Sequence, residues 1–256
     1  MPTRLTRALH LGGLRAATTA FADAVAQAGP AADVPTCPGW TMRDLVAHQG
    51  MVHRWAAAQL RGERVEESAF EEEGRRAPDL VAWLKEGAGE VEATVTAADD
   101  DTDALVFLAD APPPREFWAR RQCHETTIHA VDALSAVLAR HPTSGDTRID
   151  PVIAVDGIDE LLGGFLPRPR SRLRTEEPLT LIVAPDDAPD WWQVELGPRP
   201  PLTTRRSGRA GRGDVLLTAP ATALYLALWN RSDELDEQDE SGLIARWRDR
   251  AVVRWS

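Results

Sequence analysis

A glutamate and a histidine four residues apart are the pair in this sequence best suited to bind a metal ion. Glu125 and His129 are separated by about one helical turn, so a helix through this segment would place both side chains on one face. A buried carboxylate and a buried imidazole are unfavourable without partners, and a divalent cation satisfies both at once. Apolar residues beside the pair point that face toward a core; they are Val131, Leu134, Val137 and Leu138.

His48 is the best candidate for a third ligand. It lies among the apolar residues Leu45, Val46 and Val52 in a segment with strong helical patterning. Two histidines and one glutamate would hold the ion and leave coordination positions open, which is typical of catalytic rather than structural sites. We therefore predict a divalent metal bound by His48, Glu125 and His129.

Four other residues near the predicted ligands could also take part in the site or could be purely structural. His124 is rotated about 100° around the helix axis from the ligand face, so we do not expect it to bind the metal. We interpret His53 as a pocket wall or surface residue, and Cys123 as a core residue. Asp132 could orient His129 by accepting a hydrogen bond from it, although a surface carboxylate fits the sequence equally well.

Periodicity predicts that the first domain, residues 1–142, is a four-helix bundle. The first helix is predicted over residues 5–28 and the fourth, which carries Glu125 and His129, over about 115–140. Residues 61–78 are highly charged, which indicates a solvated loop with room for a short helix. Metal sites are commonly built inside such bundles by side chains on facing helices.

The second helix has a well-defined start. Thr41 stands where an N-cap residue is expected, and Asp44 follows three residues later, so the two form a variant of the capping box. A helix that begins there carries His48 inward on its second turn. Asp79 is the expected N-cap of the third helix.

The second domain, residues 150–256, is predicted to mix helices and strands. A helix opens at Asp150 with proline at its first position and runs to about Leu166. Short runs with strand character follow, and two helices complete the chain, so the fold class is α+β. The predicted strands cover 179–184, 191–196, 202–206 and 215–218, and the final helices 220–229 and 243–250.

Composition excludes several classes of function. The chain has 256 residues, 43% of them hydrophobic, and a net charge of −11 from 40 acidic and 29 basic residues, which argues against nucleic-acid binding. Cys37 and Cys123 are its two cysteines, too few for a disulfide framework. We find neither an apolar run long enough to cross a membrane nor a signal peptide, and we expect a cytoplasmic protein, either a monomer or a weak dimer.

Two motifs resemble the mycothiol-dependent maleylpyruvate isomerase family, which belongs to the wider DinB-like metal-binding four-helix bundles. They are the segment VPTCPGWTMRDLVAH, from Val34 to His48, and the pattern His124-Glu125-x-x-x-His129-x-Val-Asp132. Residues 157–162 and 219–231 resemble the smaller C-terminal domain of that family. The resemblance thus extends over the whole chain.

The resemblance implies a zinc ion held by His48, Glu125 and His129. It also implies mycothiol as the thiol cofactor, and through mycothiol an actinobacterial host. The implied architecture is a DinB-like four-helix bundle with a smaller C-terminal α+β domain. The expected partners are mycothiol and a small electrophilic molecule.

A free thiol has a pKa of about 8.5, so little of it is thiolate at neutral pH. A metal with open positions can bind the thiol and favour its nucleophilic thiolate form. We hypothesise addition of mycothiol to the double bond of a maleylpyruvate-like acid, followed by bond rotation and elimination in an isomerase, or retention of the adduct in an S-transferase. Two alternatives stay open. One is a metal-dependent enzyme that uses water or another thiol, and the other is a non-catalytic metal-binding module.

An anionic substrate also needs a cation, and Arg231 is the residue we choose. It follows the apolar helix predicted over 220–229, from which we expect it to reach a cleft between the domains and bind a carboxylate through two hydrogen bonds. The alternative is an arginine that interacts with the C-terminus of its own helix.

Overall fold

A computed structural model describes residues 5–108, 111–235 and 242–251 and divides the chain into two compact units. The first unit contains Leu5–Val106 and Pro112–Pro142. The second contains Phe107, Leu108, Ala111 and the described residues from Thr143 onward. No helix within the described ranges is long and apolar enough to cross a membrane.

The first unit is helical, as predicted, and its described residues form one helix more than the four expected. The additional helix, α3 (Glu67–Arg76), occupies part of the charged stretch that we interpreted as a loop with room for a short helix. Ion pairs between Glu71 and Arg75 and between Glu72 and Arg76 span successive turns of α3 and stabilise it. The helices are α1 (Arg7–Ala28), α2 (Met42–Arg61), α3 (Glu67–Arg76), α4 (Leu80–Ala97) and α5 (Pro114–Leu138).

The start of α2 is confirmed in detail. The Thr41 hydroxyl accepts a hydrogen bond from the Asp44 amide, and the Asp44 carboxylate accepts one from the Thr41 amide. This reciprocal capping box fixes the first turn of α2, and Gly62, in the left-handed conformation with φ 69°, ends the helix. Because the helix starts at a fixed residue, the face of α2 on which His48 lies is determined by residues close to it in sequence.

Helix α5 forms the centre of the first unit, packing against α1, α2 and α4. Every residue from 117 to 133 is buried, so the helix lacks the single apolar stripe that we expected beside the metal ligands. Val131 is buried, whereas Leu134, Val137 and Leu138 lie nearer the end of the helix and are half-buried. Polar groups inside α5 must therefore find their partners within the protein.

Tight packing of α2, α3 and α4 depends on two glycines beside Trp83. A Cβ atom on Gly50 would lie 2.2 Å from the indole nitrogen of Trp83, and one on Gly74 would lie 2.7 Å from it. The guanidinium of Arg54 stacks on the indole of Trp83, 3.4 Å from its ring centroid. This packing holds α2, which carries His48, against its neighbours.

The second unit contains a four-stranded sheet with the order β3-β2-β1-β4, which confirms the α+β class and all four predicted strands. Its strands are antiparallel except for the β1–β4 pair. Its first helix, α6, opens at the Asp150 cap with Pro151 and continues as a π-helical turn, Glu160–Phe165. The elements are α6 (Pro151–Asp159), β1 (Leu179–Pro185), β2 (Asp190–Leu196), β3 (Leu202–Ser207), β4 (Val215–Ala219), α7 (Ala221–Leu228) and α8 (Leu243–Arg250).

Candidate metal centre

Helices α2 and α5 bring the three predicted ligands together. His48, Glu125 and His129 each offer a donor atom, and these three atoms all lie within 4.8 Å of one another. Oε1 of Glu125 is 3.3 Å from Nε2 of His129 and 3.9 Å from Nε2 of His48. The side chains are only 7–12% exposed, so this cluster belongs to the interior rather than to a solvated surface.

The residues present fit a divalent cation. Oε1 of Glu125 is buried and has no hydrogen-bond partner among the described residues, although two imidazole nitrogens face it. A buried carboxylate oxygen in this position needs a positive charge beside it, which either a protonated imidazole or a bound cation can supply. Two imidazole nitrogens and one carboxylate oxygen are ligands that zinc accepts, and three protein ligands leave coordination positions open.

Arg121, which the sequence analysis did not single out, fixes the other oxygen of Glu125. It lies one turn earlier on α5, its side chain is fully buried, and its Nη2 donates to Oε2 at 2.9 Å. Burial by itself would raise the pKa of Glu125, but the Arg121 charge and the neighbouring imidazoles hold that pKa well below its ordinary value. Glu125 is therefore an anion with one oxygen already engaged. The i, i+4 spacing of Arg121 and Glu125 is the feature of the sequence from which this pairing could have been predicted.

Asp132 holds the second histidine of α5. Nδ1 of His129 donates to Oδ2 of Asp132 at 2.8 Å, and Asp132 is fully buried. The alternative of a surface carboxylate is thus wrong. Burial lowers the pKa of His129, but its contacts with Asp132 and Glu125 outweigh burial and raise the pKa to about 9. In the metal-free protein Nε2 of His129 carries a proton that faces Glu125. A metal ion can bind Nε2 only after this proton has left.

The loop between α1 and α2 supplies two further contacts to the cluster. Thr36 donates from its hydroxyl to Oδ1 of Asp132 at 2.6 Å. The Trp40 ring stands edge-on to the His48 ring, with centroids 5.1 Å apart. No local pattern in the sequence assigns Thr36 or Trp40 to the metal centre, although both lie in the motif that supports the family resemblance.

The other histidine of the α5 motif lies apart from the cluster of His48, Glu125 and His129. His124 is fully buried and packs its ring edge-on to His10, with centroids 6.2 Å apart. Its separation agrees with the predicted rotation around the helix. Cys123 is fully buried as well, which confirms the predicted core position.

His53 is neither a pocket wall nor a surface residue, contrary to our interpretation. It is fully buried, and its Nε2 lies 2.8 Å from the hydroxyl of Thr126, which Gln49 also contacts. Burial, reinforced by the charge of Arg54, lowers the pKa of His53 to about 3. A neutral His53 therefore belongs to a buried polar layer between α2 and α5. Sequence periodicity could not distinguish this position from an exposed one.

Arg231 lies just beyond α7 in the second unit and is half-buried. Its Nη1 donates to the carbonyl of Trp229 at 2.9 Å, close to the end of that helix. This contact is the helix-terminus interaction that we considered as the alternative for Arg231. A role in binding substrate stays a prediction.

Comparison with known families accounts for most of the chain. Residues 11–134 match the model of the mycothiol maleylpyruvate isomerase N-terminal domain, and residues 152–253 match that of the C-terminal domain of the same family. The chain belongs to the mycothiol maleylpyruvate isomerase family. The matched ranges include the three clustered residues and Arg231. Because this family consists of isomerases, the chain is an enzyme. Family membership therefore does not favour the alternative of a non-catalytic module.

Two solved structures share the fold of this family member. A crystal structure of the mycothiol-dependent maleylpyruvate isomerase superposes with a TM-score of 0.60 at 17% identity, covering 90% of this chain and 91% of the other. A histidine-to-alanine mutant of that enzyme gives a TM-score of 0.58 at 16% identity, with the same coverage. At such identity the likeness concerns the fold. No curated protein matches the sequence significantly.

Proposed function

We propose that this chain is a zinc-dependent, mycothiol-using isomerase or S-transferase that acts on a small electrophilic acid of the maleylpyruvate type. The observation that carries the proposal is the convergence of three donor atoms, from His48, Glu125 and His129, within 4.8 Å in a buried site. Family membership supports mycothiol and the class of acid.

A bound zinc ion would supply Lewis acidity, which lowers the pKa of a coordinated thiol below its free value of about 8.5. The donor set suits this chemistry because three protein ligands leave positions for an exogenous group. The three side chains are largely buried, which limits the contact of their donor atoms with bulk water.

The surrounding residues fix the direction of each donor. Arg121 engages one oxygen of Glu125 and leaves the other facing the histidines. Asp132 holds Nδ1 of His129, so that Nε2 points to the same place. Such preorganisation lowers the free energy needed to arrange the ligands when the ion binds.

The proposed reaction is addition of the thiolate to the electron-poor double bond of the acid. A carbon–sulfur bond forms while the π electrons shift toward the conjugated carbonyl group, and the former double bond becomes free to rotate. Elimination then breaks the carbon–sulfur bond, restores the double bond in the trans geometry and returns the thiol. In an S-transferase the carbon–sulfur bond persists and the neighbouring carbon takes up a proton.

A carboxylate on the substrate needs a cation, and the proposal assigns this role to Arg231. A guanidinium can donate two parallel hydrogen bonds to a carboxylate. Replacement of Arg231 by methionine should raise the KM for the acid while the zinc content stays unchanged. Arg174 is a matched control, because it is also half-buried and donates to a backbone carbonyl, that of Leu173 at 2.7 Å; Arg174→Met should leave KM unaltered.

The test is an assay of the zinc-loaded protein with maleylpyruvate, with and without mycothiol. We expect cis-to-trans conversion or a stable thiol adduct that depends on mycothiol, and we expect its loss in His129→Gln. Turnover that does not respond to mycothiol would instead support the alternative in which water is the nucleophile. Turnover restored by an unrelated thiol would support the use of another thiol.

A further inference from the structure

The loop between α1 and α2 is held rigidly by its own backbone. The Val34 amide donates to the Trp40 carbonyl at 3.0 Å, and the Cys37 amide donates to the Val34 carbonyl at 2.9 Å. Pro38 and Gly39 form a turn closed by a 3.0 Å hydrogen bond from the Trp40 amide to the Cys37 carbonyl, and Gly39 has φ 87° there. The loop therefore presents its side chains in a fixed arrangement.

One of these side chains, Thr36, acts on the metal cluster through Asp132. Its hydroxyl lies 2.6 Å from Oδ1 of Asp132, while Oδ2 of the same carboxylate lies 2.8 Å from Nδ1 of His129. Ser135 completes the arrangement, with its hydroxyl 2.6 Å from the backbone carbonyl of Asp132. Because both carboxylate oxygens are engaged, the plane of the Asp132 carboxylate is fixed, and the imidazole of His129 is fixed with it.

The same loop contacts the other histidine. The indole of Trp40 lies edge-on to the His48 ring at an interplanar angle of 63°, and the His48 ring is in turn edge-on to that of His129, with centroids 5.2 Å apart. A single loop thus contacts His48 directly and His129 through Asp132.

We propose that Thr36 is a positioning residue for metal binding: through Asp132 it holds His129 in the orientation that binds the ion, as part of a loop that preorganises both histidines. This inference rests on the proposed metal centre. It goes beyond that centre in naming a residue outside the ligand set, on a segment that contributes no ligand.

Zinc affinity of the metal-free protein, measured by competition with a chelating dye, is the first test. Residues that hold a metal-binding histidine typically contribute 10- to 100-fold in affinity. Because Thr36 acts on His129 only through Asp132, we expect the lower end of that range, a loss of about tenfold, in Thr36→Val, which keeps the shape but not the hydroxyl, and recovery in Thr36→Ser. Thr127→Val is the matched control, because Thr127 is a buried threonine of α5 whose hydroxyl bonds only the Cys123 carbonyl in the described structure; its affinity should not change.

The second test observes His129 directly, by nuclear magnetic resonance of metal-free protein with labelled histidine. We expect the Nδ1 proton of His129 to be protected from solvent exchange in the wild type and in Thr36→Ser, and to exchange faster in Thr36→Val. Rapid exchange in the wild type would overturn the inference even if Thr36→Val failed to fold.

The two proposals fail in different ways. Unchanged affinity and unchanged exchange in Thr36→Val would overturn the role of Thr36 while leaving the metal centre intact. Retention of zinc by His48→Ala and His129→Gln would overturn the centre itself.

Discussion

Zinc binding should depend steeply on pH between about 7 and 9, because the ion must displace a proton from His129. In the metal-free protein the pKa of His129 is raised to about 9, so the imidazole is almost fully protonated at pH 7. At two pH units below that pKa, proton competition weakens the apparent affinity about 100-fold. The affinity should therefore rise about tenfold per pH unit and level off near pH 9.

Isothermal titration calorimetry in two buffers with different ionisation enthalpies measures the protons released on binding. We expect about one proton per zinc ion at pH 7 and a value near zero above the pKa. Neither Glu125 nor His53 should contribute, because the pKa of Glu125 lies well below its ordinary value and that of His53 is about 3. In Asp132→Asn the plateau should begin at lower pH, because the contact that raises the pKa of His129 is weakened.

The raised pKa of His129 also makes the stability of the metal-free protein depend on pH. The folded-state pKa of His129 exceeds the unfolded value of about 6.5, so its stabilising contribution is fully present below pH 6.5 and disappears as the pH rises through 9. A difference of about 2.5 units corresponds to about 3 kcal/mol. Urea unfolding at several pH values should show this loss without zinc and not with it. A flat affinity and a flat free energy of unfolding between pH 6.5 and 9 would refute the reasoning.

Two further predictions concern the stability of the helical unit. Arg121→Met leaves Glu125 as a buried anion without its guanidinium partner, and urea unfolding of the metal-free variant should show a loss of about 3–5 kcal/mol; a loss below 1 kcal/mol would contradict the pairing. Gly50→Ala places a Cβ atom against Trp83 and should destabilise by about 1–3 kcal/mol in thermal unfolding. Gly89→Ala, whose Cβ atom would meet nothing within 4 Å, should instead stabilise by about 0.5–1 kcal/mol; equal effects of the two substitutions would refute the steric argument.

Local signals in the sequence predicted much of the fold. The start of α2 depends on Thr41 and Asp44 alone, so its capping box could be identified without tertiary information. The four strands lie between Pro, Gly and Asp clusters that mark turns. The pairing of Glu125 with His129 follows from helical spacing, and only the addition of His48 required an inference across two segments.

The residues that orient the ligands could not be predicted in the same way. Asp132 fitted a surface position equally well, and its burial depends on the central place of α5 in the first unit. Thr36 is 96 positions away in sequence from Asp132, so no local pattern connects them. Arg121 was predictable in principle from its i, i+4 relation to Glu125, but an arginine in the interior runs against the usual preference for exposed charge.

The most direct test of the metal centre is zinc X-ray absorption spectroscopy of the loaded protein, before and after addition of mycothiol. The account predicts a first shell of two imidazole nitrogens at about 2.0–2.1 Å and oxygen at about 2.0–2.2 Å, with a sulfur at about 2.3 Å that appears only with the thiol. A sulfur ligand before mycothiol is added, or a shell without two imidazoles, would contradict the assignment of His48, Glu125 and His129.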